Sequence, residues 1–128
     1  MPADGPLLYV DTSEVREGAL EEVKGAIKEL AAFIEANEPR LIAYNVYLSE
    51  DGSQMTVVHL HRDTSSLEYH LEVGGPAFRK LADLITLTSI QIYGEPSERA
   101  LTQLHEKARS LGRDNVSVHR LQAGFSRR

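Results

Sequence analysis

Between Leu41 and Arg62 apolar residues occupy both sides of a β-type alternation, whereas a strand with one face in water reads apolar only at every second position. Asp51-Gly52 divides the stretch and predicts a two-residue type I′ turn, because Asp and Gly both tolerate positive φ. With Glu50 and Ser53 flanking that turn, Leu48 opposes Met55, Val46 opposes Val57, Tyr44 opposes His59 and Ile42 opposes His61. Period two places those eight residues on one face. The other face carries Leu41, Ala43, Asn45, Tyr47, Thr56, Val58, Leu60 and Arg62, which is mostly apolar too. Two greasy faces need two covers.

The rest of the chain predicts few covering elements. Leu7 to Asp11 is a strand candidate, and Glu17 to Ala36 a helix in which Leu20, Val23, Ile27, Leu30 and Ile34 recur at three- and four-residue steps before Pro39 ends it. Asp63-Thr64-Ser65 offers N-cap oxygens, and Ser65 with Glu68 has capping-box spacing. The helix that starts there is expected to break at Gly74-Gly75-Pro76 and resume from Ala77 to Leu84. Thr86 to Tyr93 is a β-branched strand closed by Gly94. Pro96-Ser97 then caps a helix from Glu98 to Leu111, ended by Gly112, and Asn115 to Phe125 reads as a last strand whose alternation slips near Arg120.

The order β-α-β-β-α-β is that of an α+β ferredoxin-like plait, with both helices on one side of an antiparallel sheet. Residues 1–94 form it, and residues 95–128 add a helix-strand extension to the same domain, free to cap a sheet edge or cross to a partner. Two helices cover one face only. The uncovered face predicts a homodimer built around the sheet.

Composition narrows the function. The 128 residues are 41% hydrophobic and 26% charged, as in an ordinary globular domain. No cysteine is present, which removes disulfides, thiolate metal sites and thiol nucleophiles, and suits a reducing cytoplasm. Met1 to Pro6 lacks the marks of a signal peptide, and no apolar run reaches the roughly 20 residues needed to span a bilayer. A net charge of −5 with scattered basic residues argues against a nucleic-acid partner.

His59 and His61 stand at i and i+2 on a strand, hence on one face, and His70 lies on the helical stripe Leu67, His70, Leu71 that points at the sheet. Three imidazoles can therefore converge, with Tyr44 beside them. No glycine-rich loop suited to a phosphate follows the first strand, no Ser sits in a Gly-flanked elbow, and the carboxylates fall mostly on polar helix faces. An apolar pocket with imidazole and phenol groups remains. His105 and His119 join no constellation.

From Leu7 to Gly94 the chain resembles the antibiotic biosynthesis monooxygenase family of dimeric α/β barrels. The resemblance lies in Leu7-Leu8-Tyr9-Val10, in residues 34–39 (Ile-Glu-Ala-Asn-Glu-Pro), in Tyr44-Asn45-Val46-Tyr47, in residues 57–63 (Val-Val-His-Leu-His-Arg-Asp) leading to His70, and in residues 77–81. It implies two sheets closed face to face and an oxygenase that oxidises quinols or polycyclic phenols without metal or flavin. His70 would be the base, His59 and Tyr44 would orient it or donate to substrate oxygen, His61 would contact the substrate, and Phe78 would be a wall. His59 stands where the family typically has a Glu. The absence of Trp points away from the family's haem-degrading members. Two other functions fit the residues: a non-catalytic dimer that binds a small apolar or aromatic ligand or serves a stress role, and a metal site built from His59, His61 and His70.

Overall fold

A computed structural model describes residues 5–125 and 127. In chain order its elements are β1 (Leu7–Val15), α1 (Leu20–Asn37), β2 (Leu41–Leu48), β3 (Gln54–His61), α2 (Thr64–Phe78) with a 3₁₀ turn at Arg79–Leu81, β4 (Ile85–Tyr93), α3 (Glu98–Leu111) and β5 (Val116–His119). The five strands form one sheet in the order β2-β3-β1-β4-β5. The first four are antiparallel neighbours, which makes the ferredoxin-like plait, and β5 joins β4 in parallel. A parallel pair needs a crossover, and α3 supplies it. The extension therefore caps an edge of its own sheet.

One set of alternate strand positions faces all three helices. Leu7, Tyr9, Asp11 and Ser13 of β1, Met55, Val57, His59 and His61 of β3, and Ile85, Leu87, Ile90 and Ile92 of β4 are buried. They pack against Val23, Leu30 and Ile34 of α1, Leu67 and Phe78 of α2, and Ala100, Leu104 and Ala108 of α3. The opposite positions, among them Leu8, Val10, Ala43, Val58 and Leu60, are half-buried, and Tyr47 is exposed. No helix among the described residues lies over that face. None is long and apolar enough to cross a membrane either.

The hairpin register is as expected from Leu48↔Met55 to Tyr44↔His59, but its turn is not. Only Gly52 has positive φ, and Gly52 N–H donates to Ser49 O at 2.9 Å, so residues 50–53 form a four-residue loop on a non-primed turn. Both loops are centred between Asp51 and Gly52, and the pairing is unchanged. At the far end the expected Ile42–His61 pair gives way to Leu41↔His61; a bulge pushes Ile42 out to 51% exposure. β1 runs on to Val15 because it is hydrogen-bonded on both sides.

Three further expectations are corrected. Asp63, one of the expected cap residues, is the N-cap of α2 and accepts from Ser66 N–H at 2.9 Å, but the Ser65–Glu68 capping box does not form, Glu68 accepting instead from Ser97 Oγ. The helix does not break at Gly74-Gly75-Pro76. Pro76 deletes one hydrogen bond in the last turn, while Leu67, His70, Gly74 and Phe78 share one buried face that keeps the helix whole. Finally, β5 ends at His119 because its partner β4 ends at Tyr93, and Leu121 and Phe125 are exposed.

Helix α3 is fixed at both ends. Ser97 caps it by accepting from Ala100 N–H at 3.0 Å, and Ser97 N–H donates to Thr64 Oγ1 at 2.8 Å, which ties its start to the start of α2. At its other end Gly112 lies against β4 so closely that an added Cβ would stand 2.2 Å from Leu87 O. A Gly112→Ala substitution is expected to cost about 1–3 kcal/mol by overpacking. Gly25→Ala, in α1 with nothing within 4 Å of the new methyl, is expected to gain about 0.5–1 kcal/mol. Urea unfolding of the two variants checks both signs, and a Gly112→Ala protein as stable as the parent would contradict the contact with β4.

Candidate functional site

Period two on β1 and β3 delivers polar residues into the core as regularly as apolar ones. Tyr9, Asp11 and Ser13 on β1 and His59 and His61 on β3 all point to the helices. A buried polar group needs a partner, so each of these is either hydrogen-bonded or conspicuous.

The three expected histidines are brought together and fully buried. His59 and His70 rings meet edge to face at 4.9 Å between centroids, His61 and His70 at 5.3 Å, and His59 and His61 at 6.0 Å. Each ring is held through Nδ1. His59 Nδ1 donates to the Tyr9 carbonyl at 2.9 Å, His61 Nδ1 pairs with Ser66 Oγ at 2.8 Å, and His70 Nδ1 lies 2.8 Å from both oxygens of Glu38. A carbonyl can only accept, so His59 carries its proton on Nδ1 and leaves Nε2 bare, and His70 does the same whenever Glu38 is ionised. All three Nε2 atoms lack a hydrogen-bond partner among the described residues. No group of three His, Asp or Glu among those residues is arranged to hold a metal ion, so the histidine metal site is not formed.

Tyr44 and Phe78 line a tight cavity of about 10 Å³ between the sheet and the helices, space for about one water molecule as the side chains stand. His59, His61 and His70 form the next layer: the Tyr44 ring meets His59 edge-on at 4.9 Å, and Phe78 meets His70 at 5.4 Å. The remaining wall is largely aliphatic, from Ile27, Leu30, Val57, Leu81 and Ile85. Its charged members are Asp11 and Lys107.

Sequence reasoning missed three of the groups that complete this cluster. Glu38, at the C-cap of α1, is 4% exposed and orients His70. Asp11 extends the inward set of β1. Lys107 reaches in from α3, donating to Tyr9 OH at 2.6 Å and lying 3.6 Å from Asp11 Oδ2. One signal was available: Lys107 stands three residues after Leu104 and four before Leu111, a charge inside an apolar stripe.

Burial sets the electrostatics. It pushes the Asp11 carboxyl up against the opposing pull of Lys107, and raises Glu38 to about 7. It holds His59 and His70 well below the usual imidazole range, and His61 down to about 4. A histidine kept neutral by folding stabilises the native state fully above its ordinary value near 6.5 and loses that contribution as pH falls toward its folded value. Glu38 acts in the opposite sense, its penalty fading as pH falls from 7 to its ordinary 4.5. With three buried imidazoles against it, stability is expected to fall between pH 6.5 and 4. His61→Asn, which removes one titrating ring, is expected to make that fall shallower. Urea midpoints measured across the range check this, and an unchanged slope in the variant would contradict it.

No protein-family sequence model matches the chain, and no curated protein matches it. Solved structures do. MupZ from Pseudomonas fluorescens is 19% identical with a TM-score of 0.75, over 99% of this chain and 93% of MupZ. A Caulobacter crescentus CB15 protein provisionally named an antibiotic biosynthesis monooxygenase is 20% identical with a TM-score of 0.62, over 74% of this chain and 92% of its own. SnoaB from Streptomyces nogalater, a cofactor-independent oxygenase, is 19% identical with a TM-score of 0.61, over 73% of this chain and 95% of SnoaB. The last two cover about the share that residues 1–94 make of the chain, and MupZ covers the extension as well. The chain thus has the ferredoxin-like fold of the antibiotic biosynthesis monooxygenase proteins, carried on by a helix and a strand.

Proposed function

We propose that this protein is a cytoplasmic, homodimeric monooxygenase that oxidises a quinol-like or aromatic small molecule without a bound cofactor. One observation carries the reading: a carboxylate-backed imidazole, His70 on Glu38, is buried beside a cavity walled by Phe78, Tyr44 and aliphatic side chains. The fold shared with a cofactor-independent oxygenase supports it. A deprotonated phenol or enol is electron-rich enough to pass an electron to dioxygen. The protein then has to supply a base, a donor for the developing oxyanion and a dry space.

His70 is the base in this reading, kept in the Nδ1–H tautomer by Glu38 so that Nε2 is free to accept. His59, likewise bare at Nε2, can orient and accept but not donate, and the donor's part falls to the unpartnered Tyr44 hydroxyl. Phe78 remains the wall. His61, tied to Ser66, supports the stack of rings from behind His70.

Oxygen-electrode measurements over a panel of hydroquinones and polycyclic phenols are expected to show uptake that falls at least about a hundredfold in His70→Ala, the size general-base loss commonly takes. Tyr44→Phe should lower it less. No uptake with any member of the panel would remove the oxygenase reading. Retention of an aromatic ligand with no chemical change would identify a binding protein in its place.

The homodimer rests on Leu8, Val10, Val58 and Leu60, a half-buried apolar patch on the helix-free face of the sheet. A charge at its centre should be costly to bury. Light scattering at micromolar concentration is expected to give twice the chain mass for the parent and the single mass for Val58→Arg; a monomeric parent would refute the dimer.

A further inference from the structure

Lys107 comes from the element that lies outside the plait, yet it stands at the centre of the polar cluster. Its side chain is 11% exposed, its ammonium donates to Tyr9 OH at 2.6 Å, and it caps the face of Phe78 at 3.6 Å from the ring centroid. Asp11 Oδ2, its counter-ion, is 3.6 Å away, too far for a tight hydrogen bond. Three observations separate this pair from an ordinary structural ion pair.

First, both charges face the interior cavity. Second, two hydroxyls on the same wall, Ser13 Oγ and Tyr44 OH, are buried without a hydrogen-bond partner among the described residues, and Ser13 is only 1% exposed. Such groups cost free energy unless something pairs with them. Third, Phe78, Lys107 and Leu111 also line a groove between α2 and α3, with about 340 Å³ open to water-sized molecules. Lys107 thus lines both the surface groove and the buried space.

We infer that Asp11 and Lys107 form a subsite for an acidic hydroxyl of a phenol or enol: the oxygen gives its proton to the Asp11 carboxylate and is held as the anion by the Lys107 ammonium, with the Ser13 hydroxyl as donor. The balance is closed. The substrate O–H bond breaks, an O–H bond forms on Asp11, the electron pair stays on the substrate oxygen, and the net charge of the site does not change. Charge-assisted contacts of this kind are strong in a water-poor interior. Burial, which raises the Asp11 carboxyl, makes it a better proton acceptor than an exposed carboxylate, while Asp11 and Glu38 offset the burial that draws Lys107 down.

The subsite deepens the oxygenase reading and rests on it for the chemistry after binding. It specifies the substrate as a molecule with two ionisable oxygens, one for Lys107 and one for His70, both of which contact the Phe78 ring. Its first step, ionisation on binding, needs no dioxygen.

That step is testable with 4-nitrophenol, whose phenol and phenolate forms absorb at different wavelengths. At a pH well below its own ionisation, 4-nitrophenol bound to the full chain is expected to show the phenolate band, with its ionisation ratio raised at least about tenfold, one pKa unit, over the free compound. Lys107→Met and Asp11→Asn are expected to remove the band, and Lys107→Arg to restore part of it, with equilibrium dialysis measuring binding and circular dichroism the fold. If Lys107→Met does not fold, the parent and Lys107→Arg decide. Absence of binding to the parent, a neutral bound phenol in the parent, or an undiminished band in a folded Lys107→Met would each overturn the inference. Failure of the oxygenase reading looks different: the band would form while oxygen uptake stays at zero.

Discussion

A carboxylate on the central strand of a sheet, 5% exposed at its side chain, is tolerable only with a cation in reach, and the cation beside Asp11 is Lys107. Much of the structure depends on that constraint. Lys107 reaches β1 because α3 lies over β4, and α3 lies there because Ser97 is fastened to α2 and Gly112 fits against the Leu87 backbone. The parallel strand β5 then results from a helix that must return its chain to the sheet edge. The extension is thus joined electrostatically to the middle of the plait as well as packed on its side.

The same central region explains why the histidines behave as they do. Tyr9 stacks on His59 at 4.1 Å and nearly parallel, takes the Lys107 hydrogen bond at its hydroxyl, and offers its carbonyl to His59 Nδ1. One residue therefore links the cation of α3 to the imidazoles of β3 and α2. Each imidazole is fixed through Nδ1 and has no partner at Nε2 among the described residues, while burial keeps all three neutral.

The elements were readable in the sequence where a single periodicity governed them. The β3 alternation placed Met55, Val57, His59 and His61 inward, and the hairpin register held although the turn was of another type, because the loop's midpoint, not its class, fixes pairing. Local rules misled where packing outweighed them: the glycines and proline of α2 stay helical because four inward residues span them, and Leu121 and Phe125 form no strand because β4 has no backbone left to pair with. In the site, the histidines and Tyr44 could be placed together because each lies on its own element's core-facing row, whereas Phe78 entered through the family resemblance alone. Glu38 and Asp11 were not legible, since each sits at the end of an otherwise apolar pattern and its partner is far away in sequence. The Lys107–Asp11 contact joins residues in α3 and β1, a distance no local pattern spans.

The bulge at Ile42 reaches beyond the hairpin. β2 is the outer strand on one side of the sheet and β5, four residues long, is the outer strand on the other. Because Ile42 is squeezed out of register, β2 does not offer a straight ladder of free N–H and C=O groups, and β5 is too short to offer one. Copies of this chain are thereby discouraged from adding to one another strand by strand into fibrils, and association is steered away from the rims of the sheet toward its broad side.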